Sequence, residues 1–271
     1  MNKLKKCRHG EMLYQTTDLY VGKSFDLYGE FSEGEVALFE KIVAPGHVVL
    51  DVGANIGAHT IPLAQLTGPR GGVLAFEPQR IPYYTLCANV VLNNLHHVIC
   101  YQAALGDKAG RIVVPDLDYS VEQNFGGLGL ANLPPDCRGH IVPLLRIDDL
   151  KLPRCNFIKI DVEGMERSVL SGAVETIRRF KPILYVEDDR KEKSAELRAF
   201  LESLGYFMFL HRPPLYNPDN FAHNPQNVFN NIVSLNLYCH HRETLSPINP
   251  LEYHMVPVHA GGPSITLTAP V

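Results

Sequence analysis

The run Asp51-Val52-Gly53-Ala54-Asn55-Ile56-Gly57 sets an acid and two spaced glycines at the end of a β-branched stretch. Gly53 lets the chain turn sharply, and Gly57 lets a following helix approach a ligand with no Cβ in the way. The spacing differs from G-x-G-x-x-G, which is shaped around a pyrophosphate. It suits a ligand without phosphates, such as an adenosyl group carrying an amino-acid tail. Free N–H groups near His59 and Thr60, at the start of the helix, are placed to receive that tail's carboxylate. An ordinary strand-turn-helix would use the same residues, so the turn needs support from elsewhere.

That support is Glu77, which ends the next apolar run and is followed at once by Pro78. A carboxylate at that strand end can accept both hydroxyls of a ribose. A solvated surface glutamate does not explain its place after Val73-Leu74-Ala75-Phe76. Together the two motifs indicate an adenosine-containing ligand, without separating S-adenosylmethionine from NAD.

A third group is Lys159-Ile160-Asp161-Val162-Glu163-Gly164-Met165-Glu166. Lys159 and Asp161 share one face of a strand expected to be central and buried. A buried lysine requires a carboxylate partner, and topology offers Asp51, Glu163 or Glu187. Glu163 and Glu166 also suit a helix N-terminus on electrostatic grounds alone.

Alternating short apolar runs and longer amphipathic stretches must position these groups, the pattern of βαβ units and a parallel sheet. Strands are expected at Val48 to Val52, Val73 to Phe76, Val98 to Ala103, Phe157 to Ile160 and Pro182 to Val186. Helices are expected at Ala58 to Leu66, Ile81 to Asn93, Glu166 to Arg179 and Ser194 to Ser203, the last capped by Gly205. Tyr206 to Leu210 and Ile232 to Leu237 read as a final antiparallel pair. Residues 106 to 145 break the rhythm and read as a lid-like insertion, anchored by short strands at Arg111 to Val114 and Ile141 to Leu144. Asn124 to Gly129 is its closing loop, with Tyr119, Phe125 and Tyr216 as candidates for an apolar wall. Residues 1–29 read as an N-terminal extension with a solvated basic cluster (Lys3, Lys5, Lys6, Arg8), 30–240 as the domain, and 241–271 as a Pro-rich tail without structure.

The 271 residues carry a formal net charge of -4, which argues against a nucleic-acid backbone as main partner. The six cysteines form no C-x-x-C pair, so neither a zinc knuckle nor a thioredoxin-type motif is indicated. With no membrane-length apolar stretch and no signal-peptide pattern, a cytoplasmic location is expected, and no membrane partner. Oligomeric state is not legible.

The series DVGANIG, FEP, AALGD, IKIDVEGMERSVLSGA and PILYVE resembles the FkbM family of methyltransferases, from about residue 30 to residue 238. The resemblance implies a three-layer Rossmann-like α/β fold whose mostly parallel seven-stranded sheet ends in an antiparallel strand. It implies S-adenosylmethionine contacts at Asp51, Gly53, Asn55, Gly57 and Glu77, with Ala103 and Ala104 near the adenine. It also implies methylation of a hydroxyl on a sugar or secondary metabolite. Residues 115 to 140 and the tail lie outside it, so the acceptor is not carried over.

Methyl transfer from a sulfonium is an in-line displacement, and a neutral alcohol must lose its proton as it attacks. Asp161, Glu163 and His223 are the side-chain candidates for that base, and Asp161 also stands beside the presumed donor. The alternative is Mg²⁺ on Asp161 and the strand-end acids Glu187, Asp188 and Asp189. A structural Glu187–Lys159 ion pair is preferred to it, so no metal ligand is assigned. Two other classes compete: a non-catalytic adenosyl-binding scaffold, and an NAD-dependent oxidoreductase, disfavoured by the missing G-x-G-x-x-G.

Overall fold

The computed structural model describes residues 1–131, 133–134 and 137–261. The chain opens with a hairpin, β1 (Asn2–Cys7) and β2 (Gly10–Gln15), then α1 (Val21–Tyr28) and α2 (Glu33–Ile42). The alternating part follows as β3 (Val48–Val52), α3 (Thr60–Thr67), β4 (Gly72–Phe76), α4 (Arg80–Leu92) and β5 (Val98–Tyr101). An insertion supplies β6 (Ala104–Leu105), β7 (Gly110–Pro115) and β8 (Gly139–Leu145). The second half runs β9 (Phe157–Ile160), α5 (Glu166–Ser171), α6 (Val174–Phe180), β10 (Ile183–Glu187) and α7 (Lys191–Ser203). It closes with β11 (Tyr206–His211), β12 (Asn236–His241) and β13 (Val256–Val258).

The main sheet has eight strands in the order β13-β11-β12-β10-β9-β3-β4-β5. Strands β5, β4, β3, β9 and β10 are parallel, and β12 enters antiparallel between β10 and β11. Both faces are covered, which is why β9 is buried at every position and β3 at all but its first. One face packs α2, α3 and α4 through Phe39, Ile61 and Leu86, and the other packs α5, α6 and α7 through Val169, Ile177 and Leu197. This is the expected three-layer Rossmann-like α/β fold with a mostly parallel sheet and an antiparallel late strand.

Four expectations need correction. The basic start is not a loose terminus. Cys7, Met12 and Tyr14 are buried, and the outer edge of β2 is satisfied by two asparagines of α4. Asn89 Oδ1 accepts from Leu13 N–H at 2.7 Å while its Nδ2 donates to the Leu13 carbonyl at 3.0 Å. Asn93 repeats the pairing on Glu11 at 2.9 and 2.8 Å. The tail is not wholly unstructured either: β13 pairs with β11 and adds an eighth strand to the predicted seven. The helix expected from Glu166 to Arg179 is two helices, broken at Gly172 where the chain meets Gly106: a Cβ there would lie 2.0 Å from the Gly106 carbonyl oxygen. The last strand begins at Asn236 rather than Ile232, and the residues before it turn toward the site.

Within the insertion, β6, β8 and β7 form a three-stranded sheet close to the two anchor strands expected there. Three of its residues (132, 135 and 136) lie outside the described residues.

Candidate active site

The chain leaves β3 outward through β4 to β5 and returns on the other side at β9, so strand order reverses between β3 and β9. A cavity of about 430 Å³ opens at the carboxyl ends of these strands, where such sheets bind ligands.

The turn after β3 explains its glycines in two different ways. Gly53 lies at φ +81, and a Cβ on it would sit 1.7 Å from the Asp161 carbonyl oxygen, so only glycine fits between the two strand ends. Gly57, at φ +91, is not on the cavity wall; a Cβ there would press on Leu86 Cδ1 at 2.9 Å. Its smallness brings the start of α3 against α4, correcting the expectation that it faces a ligand.

Glu77 is buried on the cavity wall at the end of β4. Its Oε2 accepts from Asn55 N–H and its Oε1 from Gln79 N–H, both at 2.8 Å. Burial pushes its carboxyl up to about 7, against those two hydrogen bonds, which pull the other way. Each oxygen keeps acceptor capacity beyond its one backbone partner. Asn55 Oδ1 beside it is buried with no partner among the described residues. Ala54, Pro78, Ala103 and Ala104 complete this part of the wall with small, apolar surface.

Behind the turn lies a buried charge centre. Lys159 Nζ is 3.4 Å from Asp51 Oδ1 and 3.3 Å from Asp161 Oδ2. Burial alone would lower this ammonium, but the carboxylates of Asp161, Asp51 and Glu35 hold it above the usual lysine range. Asp51 is fully buried, accepts from Thr60 Oγ1 at 2.6 Å and does not reach the cavity, nor does Thr60. Both were expected as ligand contacts; they act instead from behind, fixing Lys159 and the start of α3. His59 does line the cavity.

Glu187 does not pair with Lys159. Ladder register sets Tyr185 opposite Lys159, two residues short of Glu187. Glu187 instead joins Asp161 and Glu163, with carboxylate oxygens from all three within 4.8 Å of one another. Burial first, then its acidic neighbours, raise the Glu187 carboxyl far above the carboxylate range. Glu163 is raised to about 7 by burial and by Asp161 while ion-paired with Arg190. The three are the residues that could hold a cation such as Mg²⁺, and the shared proton is the alternative way to relieve them. Asp188 is elsewhere, tied to Arg198 at 2.6 Å, whereas Asp189 reaches the wall.

The insertion roofs the cavity. Gln79 Nε2 donates to the Phe125 carbonyl at 2.8 Å, and Phe125 packs on Tyr119 with ring centroids 4.6 Å apart. The wall itself is made by Asn124, Gly126, Leu128 and Leu130; Phe125 and Tyr119 hold them from behind. The roof is hitched to the start of the chain, where Leu19 N–H donates to the Gln123 carbonyl and Gln123 N–H to the Thr17 carbonyl, both at 3.1 Å. Tyr216 packs on Tyr28 and is not part of the wall. Neither is His223, exposed in the loop before β12, so the structure does not bring that candidate base to the site.

Sequence reasoning missed the remaining wall. Tyr20 lies just before α1; Val21, Phe31 and Glu35 come from α1, α2 and their connection, and Leu215 with residues 232–236 from the stretch that leads into β12. The signal available was the amphipathic run Glu33 to Ile42, whose Val36, Leu38 and Phe39 are core.

A parallel core with its ligand-sized cavity at the switch point, a glycine turn on one strand and an acid ending the next define a Rossmann-like ligand-binding enzyme fold. Residues 51–208 match the methyltransferase FkbM domain, more than half of the chain, and the protein belongs to that family. Methyltransferase 1 of Beauveria bassiana is 28% identical over 194 residues, spanning 63% of this chain and 76% of that protein. The 31-O-demethyl-FK506 methyltransferase FkbM of Streptomyces tacrolimicus is 29% identical over 202 residues, spanning 64% and 77%. Among solved structures, the methyltransferase FkbM from Methylobacillus flagellatus aligns with a TM-score of 0.48 and 19% identity, covering 76% of this chain and 50% of that one. Among the described residues no helix is long and apolar enough to cross a membrane.

Proposed function

We propose that the protein transfers a methyl group from S-adenosylmethionine to a hydroxyl of a small-molecule acceptor, a sugar or secondary metabolite. The observation that carries this reading is the coupling of Asn55 to Glu77 at 2.8 Å on the cavity wall, which joins the glycine turn and the acid into one grip. The residues that would hold the donor are Gly53, Ala54 and Asn55 at the turn, Glu77 and Pro78 beyond β4, Ala103 and Ala104, and Asp161 beyond β9. The backbone at His59 lies close by. The name of the Streptomyces tacrolimicus relative, a 31-O-demethyl methyltransferase, supports oxygen as the accepting atom.

When bound, the donor supplies an electrophilic methyl carbon on a sulfonium. The chain's own residues do the rest. Glu77 offers acceptor oxygens to vicinal hydroxyls, and the unpartnered Asn55 Oδ1 offers another acceptor. Asp161 presents a carboxylate anchored on Lys159, suited to a cationic group of the ligand. Leu128 and Leu130 add apolar surface to the roof, against which a bound acceptor can be aligned. Of the two carboxylates that the sequence suggests as proton acceptors here, Asp161 is engaged by Lys159 and Glu163 by Arg190. Each is therefore a proton acceptor already partly neutralised by its cation.

Calorimetric titration with S-adenosylhomocysteine, alongside Glu77→Ala, tests the reading. Binding in the micromolar range that the variant weakens tenfold or more is expected. No binding to the unaltered protein would overturn it and bring the scaffold reading forward.

A further inference from the structure

The cavity contains one titratable pair that the family match does not span and that no ion pair with a strong cation neutralises. His59, the residue before α3, and Glu35, on α2, both line the wall and are both more than nine-tenths buried. His59 Nε2 lies 3.5 Å from Glu35 Oε2 and has no hydrogen-bond partner among the described residues. The other carboxylate oxygen is occupied: Glu35 Oε1 accepts from Ser32 Oγ at 2.9 Å and from Asn236 Nδ2 at 3.3 Å. The carboxylate is thus held at the start of α2 and by β12, with Oε2 the oxygen nearest the imidazole. The ring is held edge-on by Phe39, with centroids 5.5 Å apart, and flanked by Phe31 at 5.8 Å.

The arrangement sets an acid 3.5 Å from a neutral imidazole, a pairing that need only tighten to orient the ring as a proton acceptor. We infer that His59 takes the proton from the acceptor hydroxyl during methyl transfer, with Glu35 as the positioning residue that steadies the imidazolium so formed. The inference rests on the reading of the protein as an O-methyltransferase. In the step, the hydroxyl oxygen forms a bond to the methyl carbon. The carbon–sulfur bond of the sulfonium donor breaks with its electron pair staying on sulfur, and the hydroxyl proton passes to His59. No metal or further reactant is needed for the balance.

The surroundings fit this role better than they fit the carboxylates beyond β9. The charged or titratable groups acting on His59 are Glu35 from α2, Lys159 from β9 and His9 from the β1–β2 turn. Burial and then Lys159 hold the free imidazole neutral, the form able to accept a proton. The same cavity wall carries Tyr20, Val21, Phe31, Leu215 and Ile232, with Ser234 and Asn236 as the polar residues beside Glu35. An alcohol on an otherwise apolar body would therefore meet the dyad among apolar surface, with Ser234 and Asn236 close to Glu35.

The test uses the 271-residue protein with Glu35→Gln and His59→Gln. Titrated with S-adenosylhomocysteine, both variants are expected to bind about as well as the unaltered protein. A loss of tenfold or more in either would assign the pair to the donor's amino-acid tail and overturn the inference. With S-adenosylhomocysteine saturating, cyclohexanol serves as a minimal secondary-alcohol probe, read by the ¹⁵N shifts of the His59 ring. A saturable shift that Glu35→Gln alters is expected; no response at His59, whether or not other residues respond, overturns the inference. If the unaltered protein does not bind S-adenosylhomocysteine at all, it is the donor reading that fails. On any alcohol that is methylated, His59→Gln should lower kcat by about a hundredfold or more with little change in KM, and unchanged kcat would be decisive against it.

Discussion

Gly53 and Asp161 meet where β3 and β9 end side by side, so closely that a Cβ on the glycine would fall 1.7 Å from the Asp161 carbonyl oxygen. The contact joins the turn to the strand carrying Lys159, and with it the two halves of the sheet. Gly53→Ala imposes a backbone clash as well as a side chain at φ +81, and should cost roughly 2 kcal/mol or more. Urea denaturation should register that loss together with failure to bind S-adenosylhomocysteine. Wild-type stability and affinity would show the strand ends to be slack.

Glu77 makes a pH-dependent prediction whose sign follows from burial. Its carboxyl is raised from an ordinary 4.5 to about 7 in the fold. The folded state therefore holds a proton that the unfolded chain has released, and the contribution is present below 4.5 and lost as pH rises through 7. Relative to Glu77→Gln, the wild type should lose stability between pH 4.5 and 7.5, by up to about 3 kcal/mol. Denaturation curves of the two proteins across that range measure the difference. Parallel curves would mean that Glu77 ionises freely in the folded protein.

Lys159→Met leaves Asp51 buried without its cation and removes the partner 3.3 Å from Asp161. Breaking a buried pair on one side costs about 3–5 kcal/mol, so the variant should unfold at markedly lower denaturant. The double variant Lys159→Met/Asp51→Asn should recover part of that loss. No recovery would indicate that Asp51 is stabilised chiefly by Thr60.

Phe125→Ala removes the ring packed on Tyr119 and loosens the roof held by Gln79. Truncating a buried phenylalanine costs about 3–5 kcal/mol where the site cannot collapse; in a roof segment the loss should appear locally. Faster amide exchange across residues 118–130 is expected, with protection in β3 and β9 unchanged. A global loss of protection would make the roof part of the folding core.

The central fold and the placing of the glycine turn and Glu77 on one cavity wall were legible because they depend on local signals. A β-branched run followed by glycines and an acid ending the next apolar run are both written within a few residues. The hairpin β1–β2 was not legible: its basic residues suggest a solvated terminus, and the outer edge of β2 is satisfied by Asn89 and Asn93 of α4, more than seventy residues away. Glu187 was misassigned because chain order puts it on the strand beside Lys159, while the register leaves it two residues past that level, among other carboxylates. His59 was noticed for its backbone, but its ring could not be read without Glu35, since no spacing rule links α2 to the turn after β3. Gly57 and Asp51 were recognised as fixed positions and given the wrong neighbours, Leu86 and Thr60 taking the place of a ligand.

The roof's hitch to Thr17 and Leu19 makes the first twenty residues part of the lock on this enclosure, although they lie outside the family match. Truncating the chain to residues 51–208 would keep the glycine turn and Glu77 while removing the hinge post, Tyr20, Phe31 and Glu35 from one side and residues 232–236 from the other. The two flanks thus stand as jaws on either side of the matched segment. Exchanging them between relatives would change the walls on both sides of the cavity while leaving the glycine turn and Glu77 in place.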